Sequence, residues 1–142
     1  MRLNLDCVRD VLLCVEENTG LYKSCYFVES APPGCEEFFD IDIHIPSYQV
    51  DLGKKYSNEE LIYHVNYCIK SDFVSDSGYI TNGMIQIEDL TPAGHEFIAN
   101  IRNDSVWNKV KSAAITVGVQ SAPALIELAS KIAMSLVNSW KP

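Results

Sequence analysis

The sequence contains no long unbroken apolar run, no Cys-x-x-Cys or His-x-x-x-His pair, no glycine-rich phosphate loop and no Gly-x-Ser-x-Gly motif. Each absence removes a class of protein. The most apolar window, 113–140, is interrupted by Gly118, Gln120, Pro123, Glu127 and Lys131, so no membrane span is expected. The opening Met1-Arg2-Leu3-Asn4-Leu5-Asp6 lacks the apolar core of a signal peptide, so export by that route is not expected. Without the phosphate loop or the nucleophile motif, nucleotide hydrolysis and serine-hydrolase chemistry have no foothold. Bases are scarce as well: 11 against 19 acids, for a net charge of −8. The five cysteines, Cys7, Cys14, Cys25, Cys35 and Cys68, form an odd count with no close pairing, which suits a reducing cytoplasm.

What is present is an ordinary globular composition, 47% apolar and 21% charged over 142 residues. A chain of this length can bury a core without the help of a metal or a disulfide. The charge is unevenly placed. Residues 1–101 carry 17 acids and 6 bases, whereas residues 102–142 carry 2 acids and 5 bases. The first region repels phosphate backbones unless its few bases cluster.

Hydrophobic periodicity predicts a helix to about Asn18, capped by Asp6, with Val8, Val11, Leu12 and Val15 on its apolar stripe. Tyr26-Phe27-Val28 reads as a short strand, Ala31-Pro32-Pro33-Gly34 as a turn, and the alternation from Phe39 to Ile45 as a strand with one wet face. Gln49-Val50-Asp51-Leu52 reads as a further short strand. Ser57-Asn58-Glu59-Glu60 is a capping box, opening a helix to about Ser71. Asn82-Gly83 predicts a two-residue hairpin in which Thr81 faces Met84, Ile80 faces Ile85 and Tyr79 faces Gln86. Helices follow from Thr91-Pro92, from Asn103-Asp104-Ser105 to about Val117, and from Ser121 onward. The last carries Leu125, Leu128, Ile132, Leu136 and Trp140 on one side, and Glu127 pairs with Lys131 at i,i+4.

Helix, strand, helix, hairpin is the winged-helix order, with the third element as the reading helix and the hairpin as the wing. Tyr56-Ser57-Asn58-Glu59-Glu60-Leu61-Ile62-Tyr63-His64 through Phe73-Val74 resembles the reading-helix segment of bacterial winged-helix proteins. Met1-Arg2-Leu3-Asn4-Leu5-Asp6 with Val8-Arg9-Asp10, that segment, Leu90-Thr91-Pro92-Ala93-Gly94-His95-Glu96-Phe97-Ile98 with Ile101-Arg102, Trp107, and Leu125 to Lys131 together resemble the bacterial and phage family labelled domain of unknown function 2513. The resemblance implies a small accessory or regulatory protein and carries no activity with it. Ser71-Asp72 depart from the family pattern, which has a small residue and a glycine there. Residues 46–55, with Pro46 and Gly53, do not read as the helix that a full winged helix places before the reading helix.

The expected fold class is therefore α+β: a winged-helix-like domain over residues 1–102, with a small antiparallel sheet and helices, then a C-terminal helical extension over 103–142. That extension is expected to pack on the first helix or on a second subunit, through Leu125, Leu128, Ile132, Leu136 and Trp140.

Candidate sites are few. His64 and Cys68, one turn apart, are half of a metal site, and completing it needs two of Cys25, Cys35, His44 and His95. No ligand spacing supports that, so no metal and no cofactor are expected. His95 has no nucleophile near it in sequence, so no catalytic residue is nominated. Tyr63, Asn66, Tyr67 and Lys70 share the outer face of the reading helix. Three fates are open to them: another part of the chain, a protein partner, or bases, where Asn66 could pair with adenine. The wing set is Tyr79, Thr81, Asn82, Gly83 and Met84, and Glu36, Glu37, Asp40 and Asp42 make an acidic surface.

These features point to a non-catalytic, cytoplasmic, protein-binding module of a phage or prophage. An acidic winged-helix-like surface could imitate DNA and inhibit a host nucleic-acid or defence enzyme. The alternative is a DNA-binding transcriptional regulator. A protein partner is expected, no membrane, and a homodimer through the last helix.

Overall fold

A computed structural model describes residues 1–29, 44–81, 83–118 and 121–139. The elements are α1 (Leu5–Asn18), β1 (Cys25–Val28), α2 (Ser47–Leu52), α3 (Asn58–Lys70), β2 (Val74–Thr81), β3 (Met84–Leu90), α4 (Pro92–Ile101), α5 (Asp104–Val117) and α6 (Ala122–Ser139). The fold is α+β, with one three-stranded antiparallel sheet in the order β1-β3-β2. The chain divides into two compact units, Met1–Leu90 and Thr91–Pro142, so α4 groups with the two helices that follow it.

In the first unit, α1 buries Cys7, Val8, Val11, Leu12, Cys14 and Val15, the stripe its spacing predicts. Its cap is Asn4 rather than Asp6: Asn4 Oδ1 accepts from the amides of Asp6 and Cys7 at 3.1 and 3.3 Å. Both residues suit an N-cap. Asn4 takes the role because its amide group is held from the other side by α3, as described below. Asp6 then sits in the first turn, where its charge favours the helix dipole.

Residues 47–52 are a helix, not a strand. Pro46 stands at the N-cap, where its missing amide proton is no loss, and Gly53 closes the other end with its N–H on Gln49 and Asp51 carbonyls. The two residues that argue against a helix at this point instead mark its ends. Six residues make less than two turns, too few for a helical period to emerge from the pattern.

This short helix closes the free edge of β1. Tyr48 Oη accepts from the Tyr26 amide at 2.8 Å and donates to the Tyr26 carbonyl. Gln49 does the same two residues on: its Oε1 accepts from Val28 N–H and its Nε2 donates to Val28 C=O, both at 2.8 Å. Side chains thus replace the strand that would otherwise satisfy those groups, and an exposed strand edge is avoided. Gln49 is buried, and its Nε2 also reaches Asn58 Oδ1 at 3.0 Å.

The hairpin follows the Asn-Gly signal at its tip. Thr81 faces Met84, Ile80 faces Ile85, and Gly83 has φ 75°. Ile85 and Ile87 are buried, as the alternation predicts. Below Ile80 the register slips, so Asp76 pairs with Ile87 and the expected Tyr79–Gln86 pairing gives way to a bulge. The slip falls on Ser77-Gly78-Tyr79, and a glycine inside a strand is a common place for one.

The second unit is all helix. Thr91 and Asn103 cap α4 and α5 through side-chain oxygens, and Gly118 ends α5 at φ 77°. Helix α6 packs on α4 and α5, with Leu125 and Ala129 fully buried; Leu128, Ile132 and Leu136 are half-buried. Phe97 and Trp107 meet edge to face at 6.5 Å. The Glu127–Lys131 pair forms at 2.9 Å. No helix among the described residues is long and apolar enough to cross a membrane.

Candidate functional site

Helix α3 is built as its capping box predicts on one side only. Ser57 Oγ accepts from the Glu60 amide at 3.1 Å. The Glu60 side chain does not turn back to the cap. It accepts instead from Asn4 Nδ2 at 2.9 Å, across 56 residues of sequence.

His64 lies beside it and is completely buried. Its Nε2 accepts the Asn4 backbone N–H at 2.8 Å, which fixes the proton on Nδ1, where it is donated to the Glu60 carbonyl at 2.7 Å. With both nitrogens engaged, the ring is a clamp between the start of α1 and α3. A general base or a metal ligand would need one nitrogen released. Cys68, one turn on, is fully buried, and burial pushes its thiol up, which leaves it a poor ligand or nucleophile. Among the described residues no group of three or more His, Cys, Asp or Glu side chains converges as a metal site would require. His44 and His95 are both exposed, and Cys35 lies outside the described residues.

A second tie joins the same two segments. Tyr56 Oη donates to Asp10 Oδ2 at 2.7 Å, and Lys55 Nζ stands 3.6 Å from that same oxygen. Burial and the neighbouring Asp10 push the Tyr56 phenol up, so it remains a donor throughout the physiological range. The two stretches that carry the N-terminal and reading-helix resemblance are therefore the two ends of one hydrogen-bonded seam.

The outer face of α3 holds Tyr63, Asn66, Tyr67 and Lys70. Tyr63 is 43% exposed, with its ring edge to face with His64 at 5.1 Å. Lys70 is exposed. Asn66 and Tyr67 are half-buried; Asn66 Nδ2 donates to the Ile62 carbonyl at 3.1 Å, and burial pushes the Tyr67 phenol up. The open part of the face is thus one tyrosine and one lysine. Asn66, the residue suited to reading adenine, has a donor turned onto its own helix. Of the wing set, Gly83 and Met84 are half-buried and Thr81 takes its place in the ladder, while Asn82 lies outside the described residues. Glu36, Glu37, Asp40, Asp42 and Trp140 also lie outside the described residues, as does most of the expected 39–45 strand; His44 and Ile45, at its end, are not in a strand.

Two of the first unit's bases, just before α3, are paired, whereas Lys70 on α3 itself is exposed. Lys54 is 3.3 Å from Asp51 and Lys55 is held at Asp10. That unit carries 16 acids and 6 bases.

The family model described as Hypothetical protein (DUF2513) matches residues 2–120. The chain belongs to this family. The match covers the whole seam between α1 and α3 and stops before α6, so Leu125 to Lys131 lie beyond it. No curated protein and no solved structure matches the chain. In this DUF2513 chain the family-like residues Asn4, Asp10, Tyr56, Glu60 and His64 hold two helices together.

Two residues that sequence reasoning passed over, Leu21 and Tyr22, are the most exposed large apolar side chains described. The signal was there: Gly20-Leu21-Tyr22-Lys23 is a turn with no turn-forming residue at its tip.

Proposed function

We propose that this DUF2513 chain is a non-catalytic, cytoplasmic protein-binding module on a winged-helix-like scaffold. Helix, strand, two helices and a hairpin follow each other in the first unit, and α2 supplies the helix that the winged-helix order places before α3. The charge of that unit carries the choice of ligand. Its 16 acids face 6 bases, and the two lysines just before α3 are already paired with Asp51 and Asp10. Specific duplex binding leans on several phosphate contacts, which such a surface opposes. Tyr63 at the open part of α3 is the kind of side chain that anchors protein interfaces. Free, buried thiols at Cys7, Cys14, Cys25 and Cys68 are in keeping with a reducing compartment.

The specific form of the proposal is a phage or prophage accessory protein that occupies the nucleic-acid site of a host or defence enzyme, its negative surface standing in for a phosphate backbone. The immobilised chain should retain a partner from bacterial lysate. Duplex DNA should displace that partner, and the Tyr63→Ala, Tyr67→Ala double variant should lose it. Retention by the double variant removes the α3 face; indifference to duplex DNA removes the imitation of DNA.

The alternative, a DNA-binding regulator, draws support from the short helix α2 standing just before α3, where a helix–turn–helix would have its first helix. Retardation of duplex DNA by the pure chain at low salt would favour it.

A further inference from the structure

Asn4 is the node on which α1 starts. Its Oδ1 caps the helix by accepting from the Asp6 and Cys7 amides. Its Nδ2 donates to Glu60 Oε1 at 2.9 Å, and its backbone N–H donates to His64 Nε2 at 2.8 Å. The last of these bonds depends on charge. His64 has a nitrogen free to accept because its proton sits on Nδ1, which donates to the Glu60 carbonyl at 2.7 Å. An imidazolium carries a proton on both nitrogens, and the one on Nε2 would point at the proton of the Asn4 amide. The ring is completely buried, so it cannot turn to solvent while the seam stays closed.

The neighbouring groups decide what an added proton does. On α3, the Glu60 carboxylate is already engaged by Asn4. An imidazolium would draw that carboxylate to itself, and Asn4 would then lose a second partner. Tyr63, also on α3, packs its ring edge to face on His64 at 5.1 Å. Cys7 on α1 is pushed up to about 12 by burial and Cys68 on α3 is pushed up as well, so both thiols stay neutral. Asp6 is exposed, Asp10 is engaged by Tyr56 and Lys55, and Arg2 is exposed on the segment leading to Asn4. The acids of the sheet are turned elsewhere: Asp89 meets Thr19 beyond the far end of α1, and Asp76 and Glu88 are exposed. Histidine is the side chain whose charge ordinarily changes between about pH 5 and pH 8, and His64 is the histidine buried in this seam.

We propose that His64 is an acid-released latch on the start of α1. At about pH 8 the neutral ring holds Asn4 and the cap is closed; as the pH falls the ring takes up a proton, Asn4 is let go, and residues 1–4 open with the first turn of the helix. The opening is confined to that end. Val8, Val11, Leu12 and Val15 remain buried, and Tyr56 keeps its hold on Asp10 further along the helix. The latch goes beyond the function proposed above and does not rest on it.

Nitrogen-15 NMR of the full chain reads both halves of the latch. At about pH 8 the His64 ring shifts should show the neutral form with its proton on Nδ1. Between about pH 8 and pH 5, ring protonation should coincide with a loss of exchange protection of about tenfold or more at the Asn4, Asp6 and Cys7 amides, corrected for intrinsic rates. His64→Gln offers an acceptor that does not titrate there and should keep its protection throughout. Glu60→Gln removes the anion that favours the imidazolium, so release should persist but need a lower pH. Protection that holds down to about pH 5 in the wild type overturns the proposal, as does a ring that takes up its proton while the Asn4 amide stays protected. So does release that survives in His64→Gln, or that vanishes in Glu60→Gln while His64→Gln still opens, which would make the carboxyl the trigger.

Discussion

In residues 1–90, buried and half-buried polar groups from distant segments are joined across the fold: Asn4 to His64 and Glu60, Tyr48 to Tyr26, Gln49 to Val28, Tyr56 to Asp10. In residues 91–142, Thr91 and Asn103 cap their helices, Glu127 pairs with Lys131 along α6, and the packing is apolar, through Phe97, Ile98, Trp107, Val110, Leu125 and Ala129. The difference teaches what each kind of bonding is for. A helical hairpin with a third helix is specified by stripes and caps alone. A small sheet with an open edge needs exact partners for its backbone, and a satisfied buried network fixes one arrangement where apolar packing would allow several. The two regions also differ in their probes and their charge. All seven tyrosines and all five cysteines lie before residue 91, and both tryptophans after it.

The largest expected effect is alkaline. Burial raises Cys7 from 9.0 to about 12, Cys14 to about 12 and Cys25 to about 11. Their pKa is higher folded than unfolded, so the stability they lend is complete below about pH 9 and is lost as pH rises through the folded values. Each thiol removes up to about 1.4 kcal/mol per pH unit in that window. Under reducing conditions, the unfolding free energy from urea titrations followed by circular dichroism should fall by several kcal/mol between about pH 8 and pH 11. Tryptophan emission, which reports only on the cysteine-free region, should lag behind; equal loss by both signals breaks the contrast between the units.

Phe97→Ala comes next. It removes a fully buried ring packed against Trp107 and should cost about 3–5 kcal/mol, read by tryptophan emission in urea. A shift under 1 kcal/mol would mean that apolar packing is not what holds this region. Gln49→Leu keeps the volume but orphans the amide and carbonyl of Val28. It should cost about 2–4 kcal/mol, seen in the sheet signal, whereas an apolar-for-polar exchange without effect would contradict the edge-closing role of α2. Asp72→Gly works the other way. Asp72 has φ 60°, and the bonds from its amide to Ile69 and from Phe73 to Cys68 make the left-handed helix ending that glycine favours. The glycine should stabilise by about 0.5–1 kcal/mol. Lys131→Ala, which breaks only an exposed pair, should change stability by less than about 0.5 kcal/mol.

Much of the fold was legible because its signals are local. Ser57, Thr91, Asn103 and Gly118 each mark an end that needs no tertiary information. The same holds for the Asn82-Gly83 tip and the buried isoleucines beside it. What escaped depends on distant partners. Asn4 caps α1 instead of Asp6 because Glu60 and His64, far along the chain, take hold of it. Helix α2 is too short to show a period, and its reason to exist is the edge of β1. Of the α3 face, the sequence placed the four residues together, but it could not show that Asn66 bonds its own helix or that Tyr67 is half covered. The departure at Ser71-Asp72 has a plain local cause: the backbone keeps the conformation that a glycine would favour.

Binding of a fluorescent duplex by the full chain, followed by anisotropy at low ionic strength, tests most directly whether the acidic unit is turned toward proteins rather than phosphate backbones. The charge and the pairing of Lys54 and Lys55 predict a flat titration. A saturable rise that weakens steeply with added salt would contradict it and hand α3 and the β2–β3 hairpin to DNA.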